Sequence, residues 1–267
     1  MLTRFYELTD DYKDIQVVSN FHTHNYLCGH AGGTVCDFAE VAVKNGLTAL
    51  GISDHCTSPL GGEGYMTLND LGMEYLPQFE IARKKYKNLR IYSGVEIIYF
   101  EGHDNEYARG LNKLDYLVLG QHEYMMNGKR CNSFTDGVDE KNVVAYFENA
   151  AAGLKTGLFS VFAHPDLIFY RGTKITPKIA DAFERAVGAA VEHGVAVELN
   201  ANGIRNHGFR YPTDLLIELC KAHGARVVVS SDSHSPKEFV DESMLRLLAY
   251  AYKTGLTVVN EIKITPR

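Results

Sequence analysis

The sequence predicts a parallel α/β fold of seven strand–helix units that closes, or nearly closes, into a barrel. Short apolar segments alternate with helical stretches along the chain, which is the pattern of parallel strands joined by crossover helices. Most of these segments are apolar almost throughout, as in strands covered on both faces. The length of 267 residues suits one barrel domain. A doubly wound open sheet would produce the same alternation and is the structural alternative.

The predicted strands are short, mostly apolar runs that recur along the whole chain. They cover residues 15–18, 49–53, 89–95, 115–120, 158–163, 195–199 and 226–230. Residues 256–259 either add a last strand or pack beneath the barrel.

Capping residues mark several of the helices between these strands. Thr34, with Asp37 three residues later, forms a weak capping box, and Gly46 ends that helix. Pro177 starts a helix that ends near residue 194, and Thr213 caps one that ends near 224. Other predicted helices end near 85, span 105–111, run from 139 to about 152 and cover 237–252.

Composition and charge exclude several functional classes. The chain is 45% hydrophobic and 22% charged, with a formal net charge of −6, which is unfavourable for wrapping duplex DNA. Its five cysteines are scattered without a C-x-x-C pair, so we expect free thiols in a reducing compartment. Neither a signal-peptide core nor an apolar run of about 18 residues is present. We therefore expect a cytoplasmic protein without membrane association, organised as one domain over residues 1–267.

Potential metal ligands follow the predicted strands at their carboxyl ends. His22 and His24 are two residues apart, so both rings point to one side of an extended backbone. Alone, such a pair in a chain with 11 histidines is more often coincidence than a metal site. The later strands add His55, Glu96, His122, His164, Asn200, Asn202, Asp232 and His234.

The carboxyl ends of barrel strands form one rim, which is where active sites of α/β barrels lie. Because so many strands end in a histidine or a carboxylate, we predict a polynuclear metal site there. Imidazole and carboxylate ligands favour Zn, Mn, Fe or Co, and this number of ligands can hold more than one divalent ion. Several divalent ions held by only two carboxylates leave the site positively charged. The site therefore suits the binding and hydrolysis of an anionic phosphate ester. His193 and His223 each precede a glycine at a helix end and are excluded.

A series of short motifs resembles the polymerase and histidinol phosphatase (PHP) family over nearly the whole chain. The motifs are His22-Thr23-His24 with His30 six residues later, Ser53-Asp54-His55, Gly94-Val95-Glu96, Gly120-Gln121-His122, Ala163-His164-Pro165-Asp166-Leu167, Glu198-Leu199-Asn200-Ala201-Asn202-Gly203-Ile204-Arg205 and Ser230-Ser231-Asp232-Ser233-His234-Ser235-Pro236. The chain departs from the family pattern at Gln121, where relatives often carry a small residue, and in the loosely matching segment 123–136.

The resemblance implies a distorted (β/α)₇ barrel with a trinuclear metal site. The implied ligand sets are His22, His24, Glu96 and Asp232 for the first ion, Glu96, His122 and His164 for the second, and His30, His55 and His234 for the third. Glu96 would bridge the first two ions. Asp232 or a rim histidine would protonate the leaving group, and the choice between them stays open.

The implied activity is that of a phosphomonoesterase which hydrolyses L-histidinol phosphate to L-histidinol and inorganic phosphate, in histidine biosynthesis. Its catalytic residues would be Glu96, Asp232 and His234. A PHP-type phosphodiesterase or exonuclease acting on nucleotides would share the ligands but would need a basic groove with aromatic stacking. A non-catalytic metal-binding protein would need a closed ligand shell. We expect no nucleic-acid partner, and the oligomeric state stays open.

Substrate-binding candidates lie in the loops after the strands. Arg171 and Arg205 each follow a rim strand, and a planar guanidinium suits a phosphate dianion. A solvent-facing role is the alternative for each arginine. His207 lies near Arg205 in sequence and is a further candidate for contact with the substrate. In the glycine-rich loop, Glu63 and Tyr65 are candidates for the ammonium and imidazole groups of the substrate.

Overall fold

The computed structural model describes residues 12–62, 64, 66–136, 139–208 and 210–265. Its strands are β1 (Ser19–Asn20), β2 (Ala49–Thr57), β3 (Met66–Thr67), β4 (Arg90–Ile97), β5 (Tyr116–Leu119), β6 (Glu123–Met126), β7 (Lys129–Asn132), β8 (Val161–Phe162), β9 (Ala196–Asn200), β10 (Arg226–Ser230) and β11 (Thr257–Val258). Its α-helices are α1 (Val35–Lys44), α2 (Tyr75–Lys85), α3 (Asp104–Leu111), α4 (Glu140–Lys155), α5 (Pro177–Glu192), α6 (Asn202–Arg205), α7 (Asp214–Ala222) and α8 (Glu242–Lys253).

One curled parallel sheet organises the fold. Its strands follow the order β1-β2-β4-β5-β8-β9-β10-β11, and the short β3 pairs with the end of β2. The segments after β1 and β10 meet, because Thr23 bridges to Ser233 and the Asp232 amide donates to the His22 carbonyl at 3.0 Å. The predicted barrel-like α/β fold is therefore confirmed, and its sheet curls until these two segments touch at the carboxyl-end rim.

Six of the seven predicted strands coincide with strands of this sheet, and the segment 256–259 contributes β11. The first strand is shorter and later than predicted, because the apolar run 15–18 joins the sheet only at its end, where the Val18 carbonyl accepts from the Thr48 amide at 2.9 Å. β2 continues to Thr57, beyond the predicted end at residue 53. His55 therefore lies within a strand rather than after one.

Three features differ from the sequence prediction. The hairpin β6–β7 follows His122, and its turn uses Asn127 and Gly128 with φ values of 51° and 73°. α6 is one extra turn after β9. The predicted helix 237–252 is divided into a 3₁₀ turn, Pro236–Glu238, and α8. The division arises because the Asp241 carboxylate accepts from the Met244 amide at 3.0 Å and starts α8 there.

The barrel interior below the rim is closed by Tyr116. Its hydroxyl donates to the Phe21 carbonyl at 2.8 Å. A Cβ added at Gly51 or Gly94 would come within 2.3 or 2.4 Å of Tyr116, so both positions must lack a side chain for the ring to fit. The same inner cluster contains Ala49, Val118, Val161, Ala163, Ala196, Val228 and Ile262.

The helices pack around the outer face of the sheet through one large apolar cluster. All five cysteines are unpaired thiols, which confirms the expectation from their spacing. In the part of the chain that the structure describes, no helix has both the length and the apolar character needed to cross a membrane.

Candidate metal centre

The carboxyl ends of the strands bring the predicted ligands to one place. His55 of β2 and Glu96 of β4 are direct neighbours in the strand register. Seven of the nine predicted ligands are buried, namely His22, His24, His55, Glu96, His122, His164 and Asp232. His30 and His234 are more exposed and lie at the outer side of the group.

Glu96 lies at the centre of this cluster. Its Oε2 lies 3.0 Å from His55 Nδ1 and 3.3 Å from His22 Nε2. Its Oε1 lies 2.9 Å from His164 Nε2 and 3.5 Å from His122 Nε2. Oε2 also lies 3.6 Å from His24 Nε2, so the two carboxylate oxygens face different imidazoles.

The loop after β5 provides the space for this carboxylate. A Cβ at Gly120 would lie 2.0 Å from Glu96 Oε1, so a side chain there would displace the acid. The next residue, Gln121, donates its side-chain amide to the carbonyls of Tyr99 at 3.1 Å and Glu123 at 2.6 Å. The departure from the family pattern at Gln121 thus ties this loop to the chain after β4.

Asp232 is the second carboxylate of the cluster. Its Oδ1 lies 3.1 Å from His24 Nε2 and 3.7 Å from His22 Nε2. Its Oδ2 accepts from the side-chain amides of Asn200 at 3.1 Å and Asn202 at 3.3 Å. These two amides orient the carboxylate so that the other oxygen faces the histidine pair.

Two residues of the cluster have left-handed backbones. His164 has a φ of 29° and Asp232 a φ of 47°, values that residues other than glycine rarely adopt. Such strain costs on the order of 1–3 kcal/mol and typically persists at functional sites, where the surrounding structure enforces it.

The outer histidines form a third group. His30 Nε2 and His234 Nε2 are 3.1 Å apart. The His234 ring stacks on His24 at a centroid distance of 4.3 Å, and His30 lies 5.1 Å from the His55 ring. His55 therefore lies between Glu96 and the outer pair.

The donor atoms fit divalent metal ions. His22 Nε2, His24 Nε2 and Glu96 Oε2 are buried without a hydrogen-bond partner in the described structure, and buried polar atoms of this kind are rare in the absence of a bound group. Among the residues that the structure describes, five groups of three have ligand atoms within 4.8 Å of one another. The imidazole and carboxylate donors are those that Zn, Mn, Fe and Co accept.

At the metal centre, the combined effect of opposite charges on the pKa values outweighs the effect of burial. Burial opposes ionisation of Glu96 and Asp232, but the surrounding imidazoles lower the pKa of each carboxyl well below its usual value. Burial lowers the pKa of His24, yet the neighbouring Asp232 and Asp54 carboxylates raise it to about 9. Both carboxyls are therefore ionised at neutral pH, which is the state that binds metal cations.

A third carboxylate, Glu198 of β9, orients two of the predicted ligands. Its Oε1 lies 2.8 Å from His22 Nδ1, and its Oε2 accepts from the His164 amide at 2.9 Å and from Asn200 at 2.8 Å. An Nδ1–H donated to Glu198 leaves the lone pair of His22 Nε2 facing the centre. The sequence motif contained Glu198 without assigning it a role, although an acid inside an apolar strand was the available signal.

We expect Glu198→Gln to weaken metal binding by roughly 10- to 100-fold, because an amide no longer fixes the tautomer and orientation of His22. Competition with a metal-sensitive chelator measures this affinity. Glu192→Gln, at the exposed end of α5, is the matched control and should bind metal like the unaltered chain. A Glu198→Gln affinity within twofold of the control would show that Glu198 does not position a ligand.

A cavity opens from the centre toward solvent. It is lined by His30, His55, Glu96, His122, Phe134, His164, Leu167, Asn202, His207, Tyr211, Asp232 and His234. The His207 ring stacks on Tyr211 at 5.6 Å and meets Tyr170 edge-on at 5.0 Å. The predicted substrate contact His207 therefore lies in the cavity wall, within an aromatic group.

Arg205 does not line this cavity, and its guanidinium is fully engaged elsewhere. Its Nε lies 2.5 Å from Asp241 Oδ2, and its two Nη atoms donate to the carbonyls of Ser231 and Glu238, each at 3.0 Å. These contacts join α6 to the segment between β10 and α8. These contacts point to a structural role for Arg205, and its phosphate-binding role stays a prediction.

Accordingly, Arg205→Met should destabilise the folded chain by about 2–4 kcal/mol, since a partly buried ion pair and two carbonyl contacts are lost. Denaturant unfolding measures the loss. The control is Arg171→Met, which changes an exposed arginine and should alter stability little. If Arg205→Met instead kept full stability and raised the KM for a phosphate ester more than tenfold, Arg205 would be a phosphate-binding residue.

The structure does not test the roles predicted for the remaining substrate-binding candidates. Arg171 donates its Nε to the Phe134 carbonyl at 2.7 Å and is absent from the cavity lining, so its phosphate-binding role stays a prediction. Glu63 and Tyr65 lie outside the described residues.

Comparison with known proteins places the chain in a family. Residues 20–202 match the PHP domain, which is more than half of the chain. The chain belongs to the PHP family. Its relatives include a probable histidinol-phosphatase from Deinococcus radiodurans, 26% identical over 227 residues that cover 81% of this chain and 86% of the relative. A probable phosphatase from Acetivibrio thermocellus is 27% identical over 223 residues that cover 82% and 80%.

Solved structures of PHP-type proteins share the fold. A histidinol phosphate phosphatase from Lactococcus lactis, complexed with zinc, L-histidinol and phosphate, superposes with a TM-score of 0.68 at 16% identity and covers 91% of this chain and 95% of that one. Metal-dependent tyrosine phosphatases from Bacillus subtilis and Streptococcus pneumoniae superpose with a TM-score of 0.51 at 16% identity, covering 89% and 88%. At these identities, the likeness establishes the fold of this PHP protein.

Proposed function

We propose that this PHP protein is a metal-dependent phosphatase that hydrolyses phosphate monoesters, with L-histidinol phosphate as its substrate. The observation that carries the proposal is that the two carboxylate oxygens of Glu96 face different imidazoles. They are those of His22, His24 and His55 at one oxygen and of His122 and His164 at the other. This arrangement suits a carboxylate shared by two ions. The names of the Deinococcus relative and of the Lactococcus structure support the choice of substrate.

The nine rim residues would hold two to three divalent ions, with Glu96 shared by two of them. The proposed ligands are His22, His24 and Asp232 on the Oε2 side of Glu96, His122 and His164 on its Oε1 side, and His30, His55 and His234 at the outer position. When bound, such ions activate water and neutralise charge on phosphoryl oxygens. Inorganic phosphate and the alcohol would be the products.

The cavity wall would bind the organic part of the substrate. Phe134, Leu167 and Tyr211 present apolar and aromatic surface, on which an imidazole can stack. His207 Nδ1 is buried without a hydrogen-bond partner among the described residues, and burial lowers the pKa of this imidazole. We propose that neutral His207 hydrogen-bonds the substrate.

Neither Asp232 nor His234 is suited to supply the proton for the leaving group. Burial raises the pKa of Asp232, but the neighbouring histidines lower it by more. The pKa of Asp232 therefore lies well below its usual value. Burial and the nearby His24 lower the pKa of His234 to about 3. Both groups are therefore deprotonated at neutral pH, and we propose them as ligands rather than proton donors.

A substrate panel tests the proposal. The zinc- or manganese-loaded protein is offered histidinol phosphate, an aryl phosphate monoester, a bis-aryl phosphodiester and a short single-stranded DNA. We expect the highest kcat/KM for histidinol phosphate. Faster cleavage of the diester or the DNA would establish the phosphodiesterase alternative, and no turnover by fully loaded protein would establish a non-catalytic metal-binding protein.

A further inference from the structure

A thiol lies beside the outer histidine pair. Cys28 ends a 3₁₀ helix, Tyr26–Cys28, and is 1% exposed. Its Sγ and one ring nitrogen each of His30 and His234 lie within 4.8 Å of one another. The ligand sets proposed above contain only histidines and carboxylates, so this sulfur is an additional donor atom at the edge of the centre.

We propose that Cys28 is a thiolate ligand of the ion held by His30 and His234, and that it makes this position selective for zinc over manganese. The inference rests on the proposed metal centre. Thiolates are soft ligands that favour zinc, whereas manganese favours oxygen donors. Zn–S bonds of about 2.3 Å and Zn–N bonds of about 2.0 Å would require only a small movement of the three side chains.

The local backbone presents the sulfur and the imidazole to the same side. Gly29 has a φ of 81°, so the chain reverses between Cys28 and His30. His30 Nδ1 hydrogen-bonds the Cys28 carbonyl at 3.1 Å, which directs Nε2 toward His234 Nε2 at 3.1 Å. The hydrogen bond thus leaves His30 Nε2 facing the position where an ion would sit.

The Cys28 thiol would lose its proton when a metal binds. Sγ donates to the Asn25 carbonyl at 3.3 Å, and a bound cation deprotonates a coordinating thiol outright. The hydrogen bond to Asn25 would then be replaced by the bond to the metal.

Cys56 provides a matched contrast. It is also buried and directly follows a predicted ligand, His55. Its side chain packs in the outer apolar cluster and, among the described residues, joins none of the groups with metal-ligand spacing. A cysteine next to a rim residue in the sequence is therefore not necessarily close to the metal-binding atoms.

Cobalt substitution tests the proposal. The metal-free protein, Cys28→Ser and Cys56→Ser are each loaded with Co²⁺, and the near-ultraviolet sulfur-to-cobalt charge-transfer band is recorded. We expect the band in the unaltered protein and in Cys56→Ser, and its loss in Cys28→Ser. The zinc-over-manganese preference in competition should fall at least roughly tenfold in Cys28→Ser alone.

Either of two results would overturn the proposal: no band in the unaltered protein, or a band retained in Cys28→Ser. If Cys28→Ser does not fold, zinc-edge X-ray absorption of the unaltered protein decides, since a sulfur scatterer at about 2.3 Å is required. Hydrolysis of histidinol phosphate is assayed on the same preparations. A cobalt–sulfur band without turnover would refute the phosphatase function while leaving the Cys28 ligand in place.

Discussion

Glu96→Ala is expected to remove bound metal and phosphatase activity together. The substitution deletes both carboxylate oxygens that face the surrounding imidazoles. Metal ions contribute several kcal/mol to transition-state stabilisation, so the loss in kcat/KM should be on the order of a thousandfold or more. Elemental analysis and kinetics on the same preparation measure the two losses.

Glu101→Ala is the control for this experiment, because Glu101 is an exposed carboxylate in the turn after β4. It should retain full metal content and activity. A Glu96→Ala protein that keeps both would contradict the bridging position. A protein that keeps its metal but loses activity would restrict Glu96 to a catalytic role.

Removal of the ions by a chelator is expected to abolish activity and to lower thermal stability. Ions that bind the folded chain but not the unfolded chain stabilise it by about 3–4 kcal/mol at 100 to 1,000 times their dissociation constant. For a chain of this size, that corresponds to a decrease in melting temperature of roughly 5–15 °C. Scanning calorimetry before and after chelation measures the change.

Zinc added back should restore both properties, and Glu96→Ala should show a smaller shift on chelation than the unaltered protein. An unchanged melting temperature and unchanged activity after verified removal of the metal would contradict the proposed centre.

The location of the rim residues could be predicted from the sequence, because it depends only on where each residue stands relative to the end of its own strand. A histidine or acidic residue at the carboxyl end of an apolar strand must lie at one end of a parallel sheet, wherever the strands pair. His22, Glu96 and His164 are of this kind. The seven strands were recognisable for the same reason, since their apolar runs reflect burial on both faces.

The partners of these residues could not be predicted in the same way. The two-sided surrounding of Glu96 depends on the register between β2 and β4 and on the empty space beside Gly120. Arg205 follows a rim strand, as a phosphate ligand would, but Asp241 lies 36 residues away and determines its orientation. Cys28 meets His234 through a sheet closure between the two ends of the chain.

Anomalous diffraction from crystals of the zinc-loaded protein, recorded at the zinc edge, tests the central claim most directly. We predict at least two strong peaks at the rim, with the Glu96 carboxylate between two of them and the imidazoles of His22 and His164 on opposite sides. A single peak, or no peak in contact with Glu96, would contradict a polynuclear centre and the phosphatase function proposed from it.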